Sequence, residues 1–256
     1  SATTDDGSTS DGTADFVEDF SAYSSESELL NDAFDYYQEA SDNNRSRINL
    51  DTSEGVDVDG FNLSQSMRYD WPDRTGSSSR CSGYSIGRDL DYRSNGVDIG
   101  EVTETWVEFY IRWPSDFSVE APDSWGCSSA PRLKTFFVQI FGARGRFGLT
   151  MGPSFYHFGL PSDASQGSQE YTQNWNDGSW HRVRVEVILP NSPLANNGGA
   201  VRWWVDGNLA AEFTDVQTDA SSIWSLRLGA NMNQGPGQAQ SNQYGRVSVW
   251  TSDPGW

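Results

Sequence analysis

The side chains able to take part in acid–base chemistry are few and scattered. Two histidines, His157 and His181, stand in a chain of 256 residues. A Ser-His-Asp centre would have to draw on one of them, and no Gly-x-Ser-x-Gly elbow accompanies either. A retaining glycosidase needs two carboxylates about 5–5.5 Å apart. Glu101, Glu104 and Glu108 come nearest, yet Glu104 and Glu108 on one strand face would stand about 13 Å apart. Asp57-Val58-Asp59-Gly60 puts two carboxylates on a turn, the start of a calcium site without the remaining ligands of a calcium loop. His181 begins a strand in Trp180-His181-Arg182, and no second histidine lies within sequence reach to share a metal with it.

Whatever these residues do, strands must position them. From Gly178 to Phe213 the chain reads GSWHRVRVEVILP, a polar loop, then VRWWVDGNLAAEF. Val183, Val185, Val187 and Leu189 fall on one face and Arg182, Arg184 and Glu186 on the other, a period of two. Val201, Trp203 and Val205 repeat the pattern. Asp206-Gly207 calls for positive φ and reverses the chain, so Leu209–Phe213 should pair back antiparallel. Val102–Trp113 is apolar in places on both faces, as a covered central strand would be. Lys134–Phe141 and Arg146–Met151 read as a hairpin. Strands are also expected at Asp15–Phe20, Arg47–Leu50, Gln65–Trp71, Phe155–Leu160, Ser222–Gly229 and Tyr244–Thr251. Ser25 and Glu28 form a capping box before Leu30, Ala33, Phe34 and Tyr37, whose spacing predicts a short helix. Many short strands between Gly, Ser, Asn and Pro clusters, with no βαβ alternation, predict an all-β antiparallel sandwich.

The Trp-His-Arg strand, the Gly-rich loop and Val201-Arg202-Trp203-Trp204-Val205-Asp206-Gly207 resemble the concanavalin A-like lectin/glucanase superfamily. Met67–Trp71, Glu104–Tyr110 and Val247–Trp250 fit the same group. The resemblance spans most of Asp15–Trp256 and implies a two-sheet jelly roll; such a fold hosts enzymes, lectins and structural modules alike. Some lyases of the superfamily carry a Gln-Ile-His strand with a Tyr and an Arg, which neutralise a uronate carboxylate and take its C5 proton. Val138-Gln139-Ile140-Phe141 resembles that strand, with Phe141 where the His would stand. The lyase reading therefore rests on Gln139, Arg144, Arg146, Tyr156 and His157. It departs from the family in lacking both the Arg-x-Glu-Leu-Arg and the Tyr-Phe-Lys-Ala-Gly strands. Tyr156 and His157, as strand neighbours, face opposite ways. The resemblance also allows a structural calcium, for which Asp57 and Asp59 are the candidates; no other cofactor is implied. A glycan-binding module would stack sugars on loop aromatics, for which Trp71, Tyr92, Trp125 and Trp175 are the candidates.

Thirty-six acidic against 17 basic residues leave a net charge of −19. That field repels nucleic acid and anionic membrane surfaces, and no apolar run is long enough to span a bilayer. The chain opens on Ser1 with no apolar leader, as a processed, exported product would. In that setting Cys81 and Cys127 are expected to form one disulfide, and Asn44 and Asn62 head glycosylation triplets. Ser1–Ala14 has no side chain larger than Ala that could bury itself, so it reads as a tail before one domain at Asp15–Trp256. Such a tail could add to the sheet edge of a neighbouring copy. The expectation is therefore an extracellular, non-catalytic sandwich that self-assembles into a surface or filament subunit or binds glycans. The alternative is a polysaccharide lyase acting on a uronate-containing glycan.

Overall fold

The computed structural model describes residues 13–31, 34–37, 47–53, 56–74, 81, 84–93, 97–119, 127, 132–141, 146–151, 156–160, 168–173, 175–190, 198–232 and 237–256. In chain order the elements are β1 (Phe16–Glu18), α1 (Glu26–Asn31), β2 (Phe34–Tyr37), β3 (Ile48–Asp51), β4 (Val56–Val58), β5 (Phe61–Leu63) and β6 (Ser66–Trp71). There follow β7 (Tyr84–Asp91), β8 (Glu104–Arg112), β9 (Leu133–Phe141), β10 (Arg146–Met151), β11 (Tyr156–Gly159) and β12 (Ser168–Tyr171). The last five are β13 (Trp180–Ile188), β14 (Gly199–Val205), β15 (Asn208–Val216), β16 (Ser222–Met232) and β17 (Gln240–Trp250).

The protein is an antiparallel β-sandwich of the concanavalin A-like type. One sheet of eight strands runs β15-β14-β13-β8-β17-β6-β3, with β1 pairing β17 beside β6. The other, of seven strands, runs β12-β11-β10-β9-β16-β7-β2. The expected meander is present as β13–β14–β15, with Val183 opposite Val205 and Val185 opposite Trp203. Its turn is made by Asp206 (φ 49°) and Gly207 (φ 77°), both left-handed. The small hairpin β4–β5 turns in the same way at Asp59 (φ 50°) and Gly60 (φ 81°). Between the sheets one core runs through Met67, Tyr69, Val107, Phe109, Phe136, Val138, Trp203 and Tyr244. Phe109 stacks on Phe136 across it at 4.6 Å.

The N-terminal helix is shorter than its spacing predicts. It ends at Asn31, and Phe34–Tyr37 becomes β2, with Phe34 opposite Leu90 and Tyr36 opposite Arg88. The edge of β7 offers unpaired backbone groups, and a ladder satisfies more of them than a second helical turn would. The cap itself forms: Ser25 Oγ accepts the Glu28 N–H at 3.3 Å, while the Glu28 carboxylate accepts from Ser24 N at 2.6 Å. Hydrogen bonding to the Ser24 backbone and hydroxyl holds the Glu28 carboxyl below its ordinary pKa. Cys81 and Cys127 are joined in a disulfide, their Cα atoms 5.3 Å apart. It ties the chain just before β7 to the segment that leads into β9. No helix among the described residues is long and apolar enough to cross a membrane.

Candidate functional site

Strand parity sorts the side chains of the seven-stranded sheet. On β16, Ile223, Leu226 and Leu228 enter the core, so Ser225 and Arg227 face outward. On β9 the residues opposite them, Gln139 and Phe137, face the same way, as do Asp91 and Asp89 on β7. Two rows therefore cross the outer face: Phe137–Arg227–Asp89 and Gln139–Ser225–Asp91. Arg227 clasps Asp89 through Nε and Nη2, the latter 2.6 Å from Oδ2. Gln139 Nε2 donates to the same Asp89 oxygen at 3.2 Å. The Ser225 hydroxyl lies buried between Gln139 and Asp91 without a hydrogen-bond partner among the described residues. Phe137 lies flat over β10, where a Cβ on Gly148 would come within 2.4 Å of its ring.

One row further along, a register shift between Ile223 and Ser225 leaves Trp224 as the extra residue. Such a bulge re-aims a side chain. The Trp224 ring stacks on Phe141 at 5.4 Å between centroids and 29° between planes. Phe141 is 39% exposed, one of two large apolar side chains so exposed among the described residues. The Arg93 guanidinium lies over both rings, 4.8 Å from Trp224 and 5.3 Å from Phe141. Arg93 is aimed by Asp91, with Nη2 to Oδ2 at 2.8 Å, and its pKa is raised by that bond. An aromatic shelf with a fixed cation beside a row of amide, carboxylate and guanidinium suits a sugar chain bearing carboxylates. The rings take C–H faces, the forks take oxygens.

The residues expected from the sequence fare unevenly. Gln139 is in this face. Arg146 stands directly opposite it in register, though its side chain, like that of His157, lies outside the described residues. His157 pairs with Thr150, which pairs with Lys134, five residues and roughly 16 Å of strand short of Gln139. Tyr156 faces the core, stacked on Trp175 at 4.1 Å, its hydroxyl donating to Asn176 Oδ1 at 2.6 Å. Burial pushes its phenol well above the ordinary tyrosine range. Arg144, Trp125 and Asn44 lie outside the described residues. Trp71, Tyr92 and Trp175 are core rather than exposed platforms, at 2%, 0% and 1% exposure. Trp71 shares the inward parity of Met67 and Tyr69, and its Nε1 donates to Asn242 Oδ1 at 2.7 Å. The Tyr92 hydroxyl meets Thr105 Oγ1 at 3.1 Å.

Asn62 is exposed on β5. Asp59 lies 3.4 Å from the Tyr110 hydroxyl and 3.5 Å from Arg182 Nη1; the side chain of Asp57 lies outside the described residues. Among the described residues no group of three or more His, Cys, Asp or Glu is placed to hold a metal. His181 fastens a turn: Nδ1 is 2.7 Å from Asp206 Oδ2 and Nε2 is 3.1 Å from Asp177 Oδ1. Burial pulls its pKa down, but the hydrogen bonds and charges of Asp206 and then Asp177 outweigh burial and raise it.

No family model matches the chain, and no curated protein is a match. Solved structures do match. An endo-β-1,4-glucuronan lyase from the fungus Trichoderma reesei superposes with a TM-score of 0.58 at 14% identity, over 95% of this chain and 99% of that one. An alginate lyase from Aplysia kurodai does so at 0.61 and 9% identity, over 94% and 100%. A variant of alginate lyase Aly36B in complex with alginate trisaccharide matches at 0.52 and 11% identity, over 93% and 98%. At these identities the likeness establishes the concanavalin A-like fold.

Proposed function

We propose that the outer face of the seven-stranded sheet binds a uronate-containing polysaccharide. The observation that carries this is the Phe141–Trp224 shelf under Arg93, with Phe141 exposed and Trp224 half-buried, continuous with Gln139, Asp89 and Arg227. Sugar rings stack on the shelf, and their carboxylates meet the guanidinium and amide groups beside it. The solved structures of similar fold, a glucuronan lyase and alginate lyases among them, support this substrate class.

Those same likenesses, spanning nearly the whole chain, favour a second reading in which the bound chain is cleaved by β-elimination. In that reaction Gln139 and the exposed Arg93 would draw charge from the uronate carboxylate and so acidify its C5 proton, which passes to water as the C4–O bond breaks and the leaving oxygen takes a proton from water in turn. The disulfide supports a working place in an oxidising, extracellular setting. Self-assembly through residues 1–14 draws no such support. Residues 1–12 lie outside the described residues, and the chain from Phe16 pairs with the protein's own β17.

Glucuronan and alginate oligosaccharides, titrated calorimetrically and then incubated, test both readings. Saturable binding with no rise in ultraviolet absorbance from an unsaturated product makes the protein a binding module. Binding with such a product makes it a lyase. Absence of binding to every uronate polymer tested would refute the proposal.

A further inference from the structure

The opposite side of the molecule holds a different kind of surface. Along the outer face of the eight-stranded sheet, Asn49, Arg68, Gln243 and Arg112 stand in one cross-strand row over β3, β6, β17 and β8, with Asp70 and Ser241 paired in the next. Asn49 stands behind Asp70; the others line a cavity of about 330 Å³ together with Asp51, Ser53 and Pro114, a volume at the small end of small-molecule sites. It suits a single sugar residue or the end of a chain rather than a strand lying across the sheet.

Its walls are stiff. Arg68 is held between Asp51 and Asp70, with Nη1–Oδ2 at 2.9 Å and Nε–Oδ1 at 3.0 Å. Asn49 donates to Asp70 at 2.6 Å, and Gln243 donates to Asp51 at 3.2 Å. Arg112 is fixed by its Nε bond to Gly178 O at 2.8 Å. The Asp51 carboxyl is held below its ordinary pKa: burial raises it, and the bonds from Ser53 and Arg68 outweigh burial. The wall thus keeps ionised acceptors and forked donors side by side. Vicinal hydroxyls, each both donor and acceptor, complement that alternation.

Two carboxylates facing two guanidiniums leave the wall formally neutral, so neither an anion nor a cation gains net Coulomb energy on entry. Among the described residues no aromatic side chain lines the cavity, which removes the stacking that grips a polymer. We infer that this cavity is a second carbohydrate site, specific for a neutral sugar and independent of the face that carries Trp224. A protein with both sites would hold an uncharged glycan on one side while engaging a uronate chain on the other.

The test is a titration followed through the arginine Nε–H resonances, using cellobiose, maltose and xylobiose as neutral probes and a mannuronate disaccharide as the anionic one. At least one neutral disaccharide should shift Arg68 and Arg112 saturably in the millimolar range. Ser241→Trp, which fills the cavity, and Ser53→Tyr, at its rim, should each weaken that binding about tenfold or more. Trp224→Ala should leave it unchanged, so failure here is separable from failure on the other face. The inference is overturned by no saturable shift with any neutral probe. It is equally overturned by tighter binding of the mannuronate at these arginines, or by unchanged binding in the folded serine variants.

Discussion

Two regions of this sandwich, one around Arg184 on the eight-stranded sheet and one around Trp224 on the seven-stranded sheet, carry similar side chains and use them differently. On the eight-stranded sheet, Arg184 and Glu108 form an ion pair at 2.7 Å with side chains only 3% and 7% exposed. Trp256 covers Arg184 at 4.8 Å and meets Trp204 and Trp250 edge-on. Arg202 bridges Glu186 and Glu212, each at 2.8 Å. The β4–β5 hairpin caps this face, with Phe61 6.3 Å from the Tyr110 ring and Arg246 3.9 Å above Phe61. Around Arg184 charge is paired and roofed; at Arg202, and in the cavity at Arg68 further along the sheet, it is paired but open to solvent. On the seven-stranded sheet the Arg227–Asp89 pair is also closed, at 8% and 15% exposure, but it leads to Phe141 and Arg93, a ring and a guanidinium that both stay open to solvent. The ring over Arg184 helps seal that charge from water and serves the fold; at Phe141 the ring and the Arg93 guanidinium against it both remain exposed and so available to a ligand.

The sharpest way to break that contrast is through the disulfide, which ties the segments leading into β7 and β9 on the open side. Replacing Cys81 and Cys127 by Ser releases a constraint across 46 residues. It should cost about 4 kcal/mol of stability on the chain-entropy account, read by urea unfolding under non-reducing conditions. A loss below about 1 kcal/mol would mean that these segments are held by other contacts.

Next in size is the roofed pair. Glu108→Ala strips a buried guanidinium of its carboxylate and should cost about 3 kcal/mol, with uronate binding unchanged. If binding falls while stability holds, the roofed face is the functional one and the assignment of faces is reversed.

Salt separates the faces more gently. A protein carrying −19 repels a uronate polymer, and raising salt from about 0.1 to 1 M shortens the screening length from about 10 to 3 Å. Uronate affinity should therefore strengthen several-fold over that range, while neutral sugars respond little. Weakening with salt would indicate binding driven by local arginines over the net field.

The smallest effect is pH-dependent. The folded-state pKa of His181 lies above its unfolded value of about 6.5. Its bonds to Asp206 and Asp177 thus contribute fully below about pH 6.5 and are lost as pH rises through the raised pKa. Unfolding free energy should decline across that window in the wild type and flatten in His181→Gln. Equal slopes in both would remove this histidine from the account.

Much of the framework was legible because period-two alternation survives wherever one strand face meets a core: the β13–β15 meander and the inward residues of β8 follow from it directly. Leu30, Ala33, Phe34 and Tyr37 also fit a helical period, and only the waiting edge of β7 decides for β2. Trp71, Tyr92 and Trp175 sit beside Gly, Pro and Asn, which suggests loops, but parity and tertiary contact bury them. The proposed binding face was harder to see. Asp89 and Arg227 are 138 residues apart, and no local pattern announces that β7 and β16 lie side by side. Trp224 points outward only because of a bulge that single-sequence alternation misses. Phe141 did stand out as a departure from a lyase strand, and it is that departure which forms the shelf.

The central claim is tested most directly by calorimetric titration of a glucuronan or alginate oligosaccharide into the wild type and into the Phe141→Ala/Trp224→Ala double variant, at high salt and with folding verified. Saturable binding by the wild type, weakened about tenfold or more in the variant, a change of about 1.4 kcal/mol or more, is the expected result. Equal affinity in the two proteins would contradict the claim.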